Sequence, residues 1–203
     1  MGKLVHGGQV YTEVRCGDAI VTFKNYAKFN GTGLILPFQL NDDYEVHCEF
    51  YIATYAHDKY IVGSSCSWND WSKTPYIAMY NNNFIVGLGS GSGSAMATIA
   101  PFTSGLHEYI SNTSDNKVYL DEYSLSFTPR TMDYNYTLGC EVSITELPFT
   151  GYIKSFKIYS KSTGDLLHHI KPCLFNNIPA LCDVIDNTLI FGSGLQVVDE
   201  IPS

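Results

Sequence analysis

Apolar and polar positions alternate along much of this chain with the two-residue period of β-strands. The clearest run is Tyr44–Ile52. Tyr44, Val46, Cys48, Phe50 and Ile52 fall on one face, and Glu45, His47, Glu49 and Tyr51 on the other. That pattern predicts a central strand with one buried and one solvated face. A second run, over 150–159, alternates Phe156 and Ile158 with Lys157 and Tyr159. Ile153 is out of phase with Phe156, which predicts a bulge between them.

Shorter β-like runs fill most of the remainder. Residues 9–14 and 19–23 carry two of them, separated by Cys16-Gly-Asp. Residues 29–37 form a short apolar edge around a Gly turn, and Ile61 opens a further strand. Residues 76–80 and 83–88 predict a hairpin around Asn81-Asn-Asn83, since Asn tolerates the positive backbone angles of a tight turn. Residues 106–111 and 118–127 predict another hairpin, with its turn at 112–117. Residues 89–94 are Gly and Ser only and read as a flexible loop. No stretch repeats with helical period, and helix is expected to stay under about 10%.

The composition agrees with a single large all-β domain. Of 203 residues, 45% are hydrophobic and 16% charged, enough for a core under a nearly neutral polar surface. Net charge is −8 with 12 dispersed Lys and Arg, which argues against nucleic-acid binding and against an electrostatic membrane anchor. No run approaches membrane-spanning length. The first eight residues lack the long apolar core of a secretory leader, so folding in a cytoplasm is expected. Cysteines at 16, 48, 66, 140, 173 and 182 fit no zinc spacing. Reduced, buried thiols are therefore expected, with Cys173 and Cys182 the pair to check for a disulfide.

The last quarter carries a resemblance. Gly151-x-Ile-x-x-Phe-x-Ile-Tyr resembles the closing strand of concanavalin A-like jelly rolls, the laminin G and pentraxin group. The tail runs through Pro172-Cys173, Leu181-Cys-Asp183 and Phe191-Gly-Ser-Gly194. It resembles the end of such sandwiches in phage and gut-bacterial proteins. Tyr136-Thr-Leu-Gly-Cys140 resembles the strand before the closing one, and Asp121 aligns with the Asp of a central hairpin, with Glu122 where Gly is usual. The resemblance covers about 29–195. It implies an all-β, antiparallel two-sheet β-sandwich of jelly-roll type over 29–203, with 1–28 an N-terminal strand or attachment arm. It further implies a non-enzymatic, lectin-like domain that binds cell-surface glycans. With no leader, the expected setting is a phage virion assembled in the host cytoplasm. There the domain would serve host attachment in a tail fibre, baseplate or head fibre, as a homo-oligomer among other virion proteins. The rival expectations are a ligand-free decoration or assembly module and, more weakly, a glycan-cleaving enzyme.

Among the candidate chemistries, Trp68-Asn69-Asp70-Trp71 is the best ligand contact, because sugar C–H faces stack on aromatic rings while Asn and Asp take hydroxyls. The alternative is that one ring plugs the sandwich and the other packs on it. Tyr80 and Asn82 of the Asn81–Asn83 turn could add contacts, and the alternative there is a purely conformational role. Calcium, common among laminin G and pentraxin relatives, would find its densest acidic cluster at Asn41-Asp42-Asp43, with Asp58, Asp70 and Asp121 elsewhere. No cofactor is expected otherwise. Glu45 and Glu49 share a strand face without the surroundings of a glucanase motif. His168-His169 reads as a strand pair, one inward and one outward.

Overall fold

The computed structural model describes residues 4–6, 9–11, 14–16, 19–65, 75–87, 96–128, 134–140 and 147–201. The strands, in chain order, begin with β1 (Leu4–His6), β2 (Gln9–Tyr11), β3 (Val14–Cys16), β4 (Ala19–Phe23), β5 (Tyr26–Asn30) and β6 (Leu34–Gln39). They continue with β7 (Tyr44–Ile52), β8 (Lys59–Ser64), β9 (Ile77–Tyr80), β10 (Asn83–Gly87), β11 (Met96–Pro101), β12 (Gly105–Ser111) and β13 (Lys117–Leu120). The last are β14 (Tyr123–Ser126), β15 (Asn135–Leu138), β16 (Thr150–Ser160), β17 (Leu166–Phe175), β18 (Ile178–Asp183), β19 (Thr188–Ile190) and β20 (Gln196–Val198). No helix occurs among the described residues.

Two antiparallel sheets stack face to face. The smaller runs β11-β10-β9-β8-β15-β6. The larger runs β14-β13-β12-β7-β16-β17-β18-β19, with β5 on β16, β20 on β5, and β4 between β17 and β3. β1 and β2 pair with each other as a separate two-stranded ribbon. This is an all-β antiparallel sandwich, the architecture that period-2 patterning demands when one face of each sheet must be buried.

The core lies where the inner faces meet. Phe50 of β7 packs edge-on against Phe84 of β10, with centroids 6.1 Å apart, and Phe156 of β16 against Tyr136 of β15 at 5.9 Å. Each pair takes one ring from each sheet, so the aromatics tie the layers together. Val46, Cys48, Phe50 and Ile52 are buried on β7, and Phe156 and Ile158 on β16, in the predicted phase. The predicted bulge is present: the β16–β7 register shifts between Ile153 and Ser155. It lets Ile153 and Phe156 both reach the core, and Lys154 and Ser155 both reach Glu49 outside.

Two predicted strands are divided. The run 29–37 splits into β5 in the large sheet and β6 in the small one. The chain crosses between layers at Gly31, which takes φ 82, and Gly33, where a Cβ would lie 2.3 Å from that of Cys140. The run 118–127 breaks into β13 and β14 at Asp121, which takes φ 51. Its carboxylate accepts the Glu108 N–H at 2.9 Å and the buried His107 Nδ1 at 2.7 Å, and those bonds hold the turn. β4 and β5, over 19–30, are woven into the large sheet through β17 and β16. Cys48, Cys140, Cys173 and Cys182 are buried thiols.

Candidate functional site

A cavity of about 690 Å3 forms a groove at the sandwich end where β6 of the small sheet faces β17 and the β18–β19 hairpin of the large one. That volume falls in the usual range for small-ligand sites. Its walls are made by Phe38, Gln39, Asn41 and Tyr44 on one side and by His168, Asp186 and Thr188 on the other.

β6 alternates, with Leu34, Leu36 and Phe38 turned inward, so Phe38 arrives at the groove as the last inward residue of its strand. There its ring stacks on His168, centroids 3.9 Å apart and planes 26° apart. His168 is fixed in turn by its Nδ1, 2.7 Å from Asp183 Oδ2 and 3.3 Å from Asp186 Oδ2. The carboxylates at Nδ1 hold a proton on that nitrogen and fix the orientation of the ring. Asp183 is fully buried, and its other oxygen accepts the N–H groups of His169 and Ile185, both at 3.1 Å. A buried carboxylate must be satisfied in this way. Asp186 sits on the hairpin turn with its side chain 53% exposed, so its carboxylate is open to a ligand. The groove thus combines an aromatic floor, one accessible carboxylate, and the amides and hydroxyls of Gln39, Asn41, Tyr44 and Thr188.

His168, Asp183 and Asp186 also form a cluster with potential metal-ligand atoms all within 4.8 Å of one another. Asp183 already accepts three hydrogen bonds there, so its first role is to position the ring. Five of the acidic residues considered from sequence, Asp43, Asp58, Asp121, Glu45 and Glu49, are occupied elsewhere. Asp43 accepts hydrogen bonds from Ser160 and from the hydroxyl and N–H of Ser162. The Ser160 bond leads in holding its carboxyl below the ordinary value. Asp58 pairs with His57, and Asp121 with His107. Glu45 accepts from His47 at 2.7 Å and Glu49 from Lys154 at 2.6 Å, so both are engaged on the outer face of β7.

Of the residues picked from sequence as ligand contacts, Trp68, Asn69, Asp70 and Trp71 lie outside the described residues. Tyr80 and Asn82 stand at the β9–β10 turn. Asn81 and Asn82 take φ 47 and 59 there and close a two-residue hairpin between Tyr80 and Asn83. Tyr80 lines a shallow cavity of about 260 Å3 on the outer face of the small sheet, with Asn81, Asn83, Ile85 and Thr98. β6 and β11 are the two edges of that sheet, so this cavity and the groove lie toward opposite edges. The sequence showed the His168-His169 split across the strand correctly. It did not show that His168 would meet Phe38, 130 positions away, because that contact exists only once the sheets are stacked.

No protein-family profile matches the sequence, and no curated protein matches it. Solved structures do match. One is described as a "putative carbohydrate binding protein from Bacteroides ovatus ATCC 8483", at TM-score 0.56 and 10% identity, covering 88% of this chain and 61% of that one. Another is domains LG4-5 of the mouse laminin alpha1 chain, at TM-score 0.52 and 13% identity, covering 88% of this chain and 48% of that one. This chain therefore spans about half to three-fifths of those proteins. The fold is the jelly-roll sandwich of these two structures, in agreement with the fold implied by the resemblance read from 150–194.

Proposed function

We propose that this chain is a non-enzymatic carbohydrate-binding domain whose ligand lies in the groove between β6 and the β18–β19 hairpin. The observation that carries the reading is the Phe38–His168 stack beside the exposed Asp186 carboxylate. A pyranose offers an apolar face and a ring of hydroxyls, and the groove offers the matching floor and acceptors. The sugar-binding description of the Bacteroides ovatus protein with this fold supports the same class. The non-enzymatic part rests on the engagement of Glu45 and Glu49 in local bonds, and on Asp183 being fully buried, with its carboxylate and that of Asp186 both turned to the same His168 Nδ1. Glycosidases hold two carboxyl groups on either side of the scissile bond. A phage virion setting, with host attachment and homo-oligomerisation, is supported by the sequence resemblance alone and belongs to the proposal on that footing.

A glycan array probed with the full chain, with and without chelator, tests the reading. Binding is expected, with Asp186→Ala and Thr188→Ala each weakening it at least tenfold at unchanged melting temperature. Silence across the array would turn the assignment to a ligand-free assembly module. Binding that survives Asp186→Ala but is lost in Trp68→Ala or Trp71→Ala would move the site to the tryptophan loop.

A further inference from the structure

The outer face of the large sheet carries a second cavity, of about 310 Å3, on the opposite side of β17 from the groove. It arises from a fork. One edge of β16 pairs with β5 over Thr150–Ile153 and with β17 from Phe156 onward, and the register shift of the bulge falls between these two stretches. β17 then leaves β16 and takes β4 as its neighbour at Cys173–Phe175. The gap left at the fork is ringed by Lys24, Lys154, Lys157 and Lys171, with Glu49 and His169. Those lysines are four of the 12 basic side chains in a chain of net charge −8.

Two of the four are neutralised in place: Lys154 by Glu49 at 2.6 Å and Lys24 by Asp199 at 2.7 Å. Among the described residues, neither Lys157 nor Lys171 has a carboxylate within ion-pair distance. Lys171 instead lies over the Phe23 ring, its Nζ 5.8 Å from the centroid. Lys157 is the direct cross-strand partner of His169, and Lys171 follows it by two on the same strand face. Like charges gathered on one sheet face repel, and an acidic chain that only needed a solvated surface here would not concentrate them. His169 between them is pushed down to about 4, first by burial and then by Lys171 and Lys157, against the opposing pull of Asp183 and Glu49. At neutral pH it is an uncharged imidazole. The rim also holds the Ser155 hydroxyl, which donates to Glu49 Oε1 at 2.9 Å, and the Asn25 amide, which donates to the Asp199 carbonyl at 2.8 Å.

We propose that this cavity is a second binding site, selective for an anionic group, and that its ligand is the sulfate or carboxylate substituent of an acidic saccharide. The anion selectivity stands on the lysines alone, whereas the saccharide rests on the proposed function. Two ammonium groups without an ion-pair partner, flanking a neutral imidazole, suit an anion and offer nothing to a neutral sugar that water would not. Asp186 in the groove has the opposite preference, so the two faces of β17 would sort ligands by charge.

The test titrates the full chain at neutral pH and low ionic strength with four probes. These are a sulfated disaccharide, a uronate-containing disaccharide, a neutral disaccharide and sodium sulfate. The readouts are the His169 ring resonances and calorimetric affinity. Anionic probes are expected to shift His169 and raise its titration midpoint, and the neutral one is not. Lys157→Gln with Lys171→Gln should weaken anion binding at least tenfold without lowering the melting temperature, while Lys59→Gln with Lys117→Gln, on other strands, should not. Anion affinity should fall as salt rises from about 50 to 500 mM. An unmoved His169 with every anion overturns the site, as does equal loss in both double variants. Sodium sulfate acting through Lys157 and Lys171 while neither acidic disaccharide binds more tightly keeps the anion site and overturns its saccharide ligand.

Discussion

Phe38 lies face to face on His168, with ring centroids 3.9 Å apart, and this single contact joins the edge strand of the small sheet to a strand inside the large one. Asp183, buried behind the imidazole, fixes the ring, so the floor of the groove is set by residues far apart in sequence. The same strand turns His169 the other way, into the lysine-rimmed cavity.

Asp183 and Asp186 are expected to separate cleanly on substitution. Asp183 is fully buried and accepts three hydrogen bonds, so Asp183→Ala strands three donors and should cost about 2–4 kcal/mol, read by urea denaturation. Asp186→Ala, at an exposed turn, should change stability by under about 0.5 kcal/mol and act on binding instead. Equal destabilisation by both would assign Asp186 to the scaffold.

Phe156 is fully buried and packs on Tyr136 of the opposite sheet. Phe156→Ala should cost roughly 3–5 kcal/mol. A change near zero in the denaturation midpoint would contradict the cross-sheet core described above.

His169 makes folding pH-dependent in a defined direction. Its folded value, about 4, is below its ordinary 6.5, so the unfolded chain binds the proton more readily. Stability from this group is fully present above pH 6.5 and is lost as pH falls toward 4. Denaturation series across that window should show a shallower slope for His169→Gln than for the native chain. Parallel slopes would remove His169 from the linkage.

The Asn81-Asn82 turn is predicted to serve geometry first. Both residues hold positive φ, 47 and 59, where Asn and Gly are at ease and β-branched residues are strained. Asn82→Gly should be neutral, whereas Asn82→Val should destabilise by roughly 1–2 kcal/mol. Loss of glycan binding in a stable Asn82→Gly protein would instead make this turn part of a ligand site.

Trp68 and Trp71 provide the remaining discrimination, and here the expectation rests on the sequence alone. A ring that contacts ligand should be replaceable by Ala with little change in melting temperature and loss of binding. A ring that plugs the core should cost roughly 3–5 kcal/mol. Destabilisation by both, with binding per folded molecule intact, would exclude the loop as the site.

What the sequence determined by itself was local. Period-2 alternation named the buried faces of β7 and β16, since Val46, Cys48, Phe50, Ile52, Phe156 and Ile158 can reach a core only from one side of a pleat. The slipped phase of Ile153 placed the bulge, and Asn81-Asn82 placed a hairpin turn. The residues of 150–159 and of the tail were enough to carry a resemblance to the jelly rolls. The tertiary structure decided what depends on pairing between distant strands. It split 29–37 between two sheets at Gly31, because the chain must change layers there. It set Phe38 on His168 and closed Asp183 behind it. It also drew Lys24, Lys154, Lys157 and Lys171 around one fork, although they are spread over nearly 150 positions. A linear pattern records which face of a strand a side chain occupies, but not which strand lies beside it, and both cavities are made by neighbours across strands.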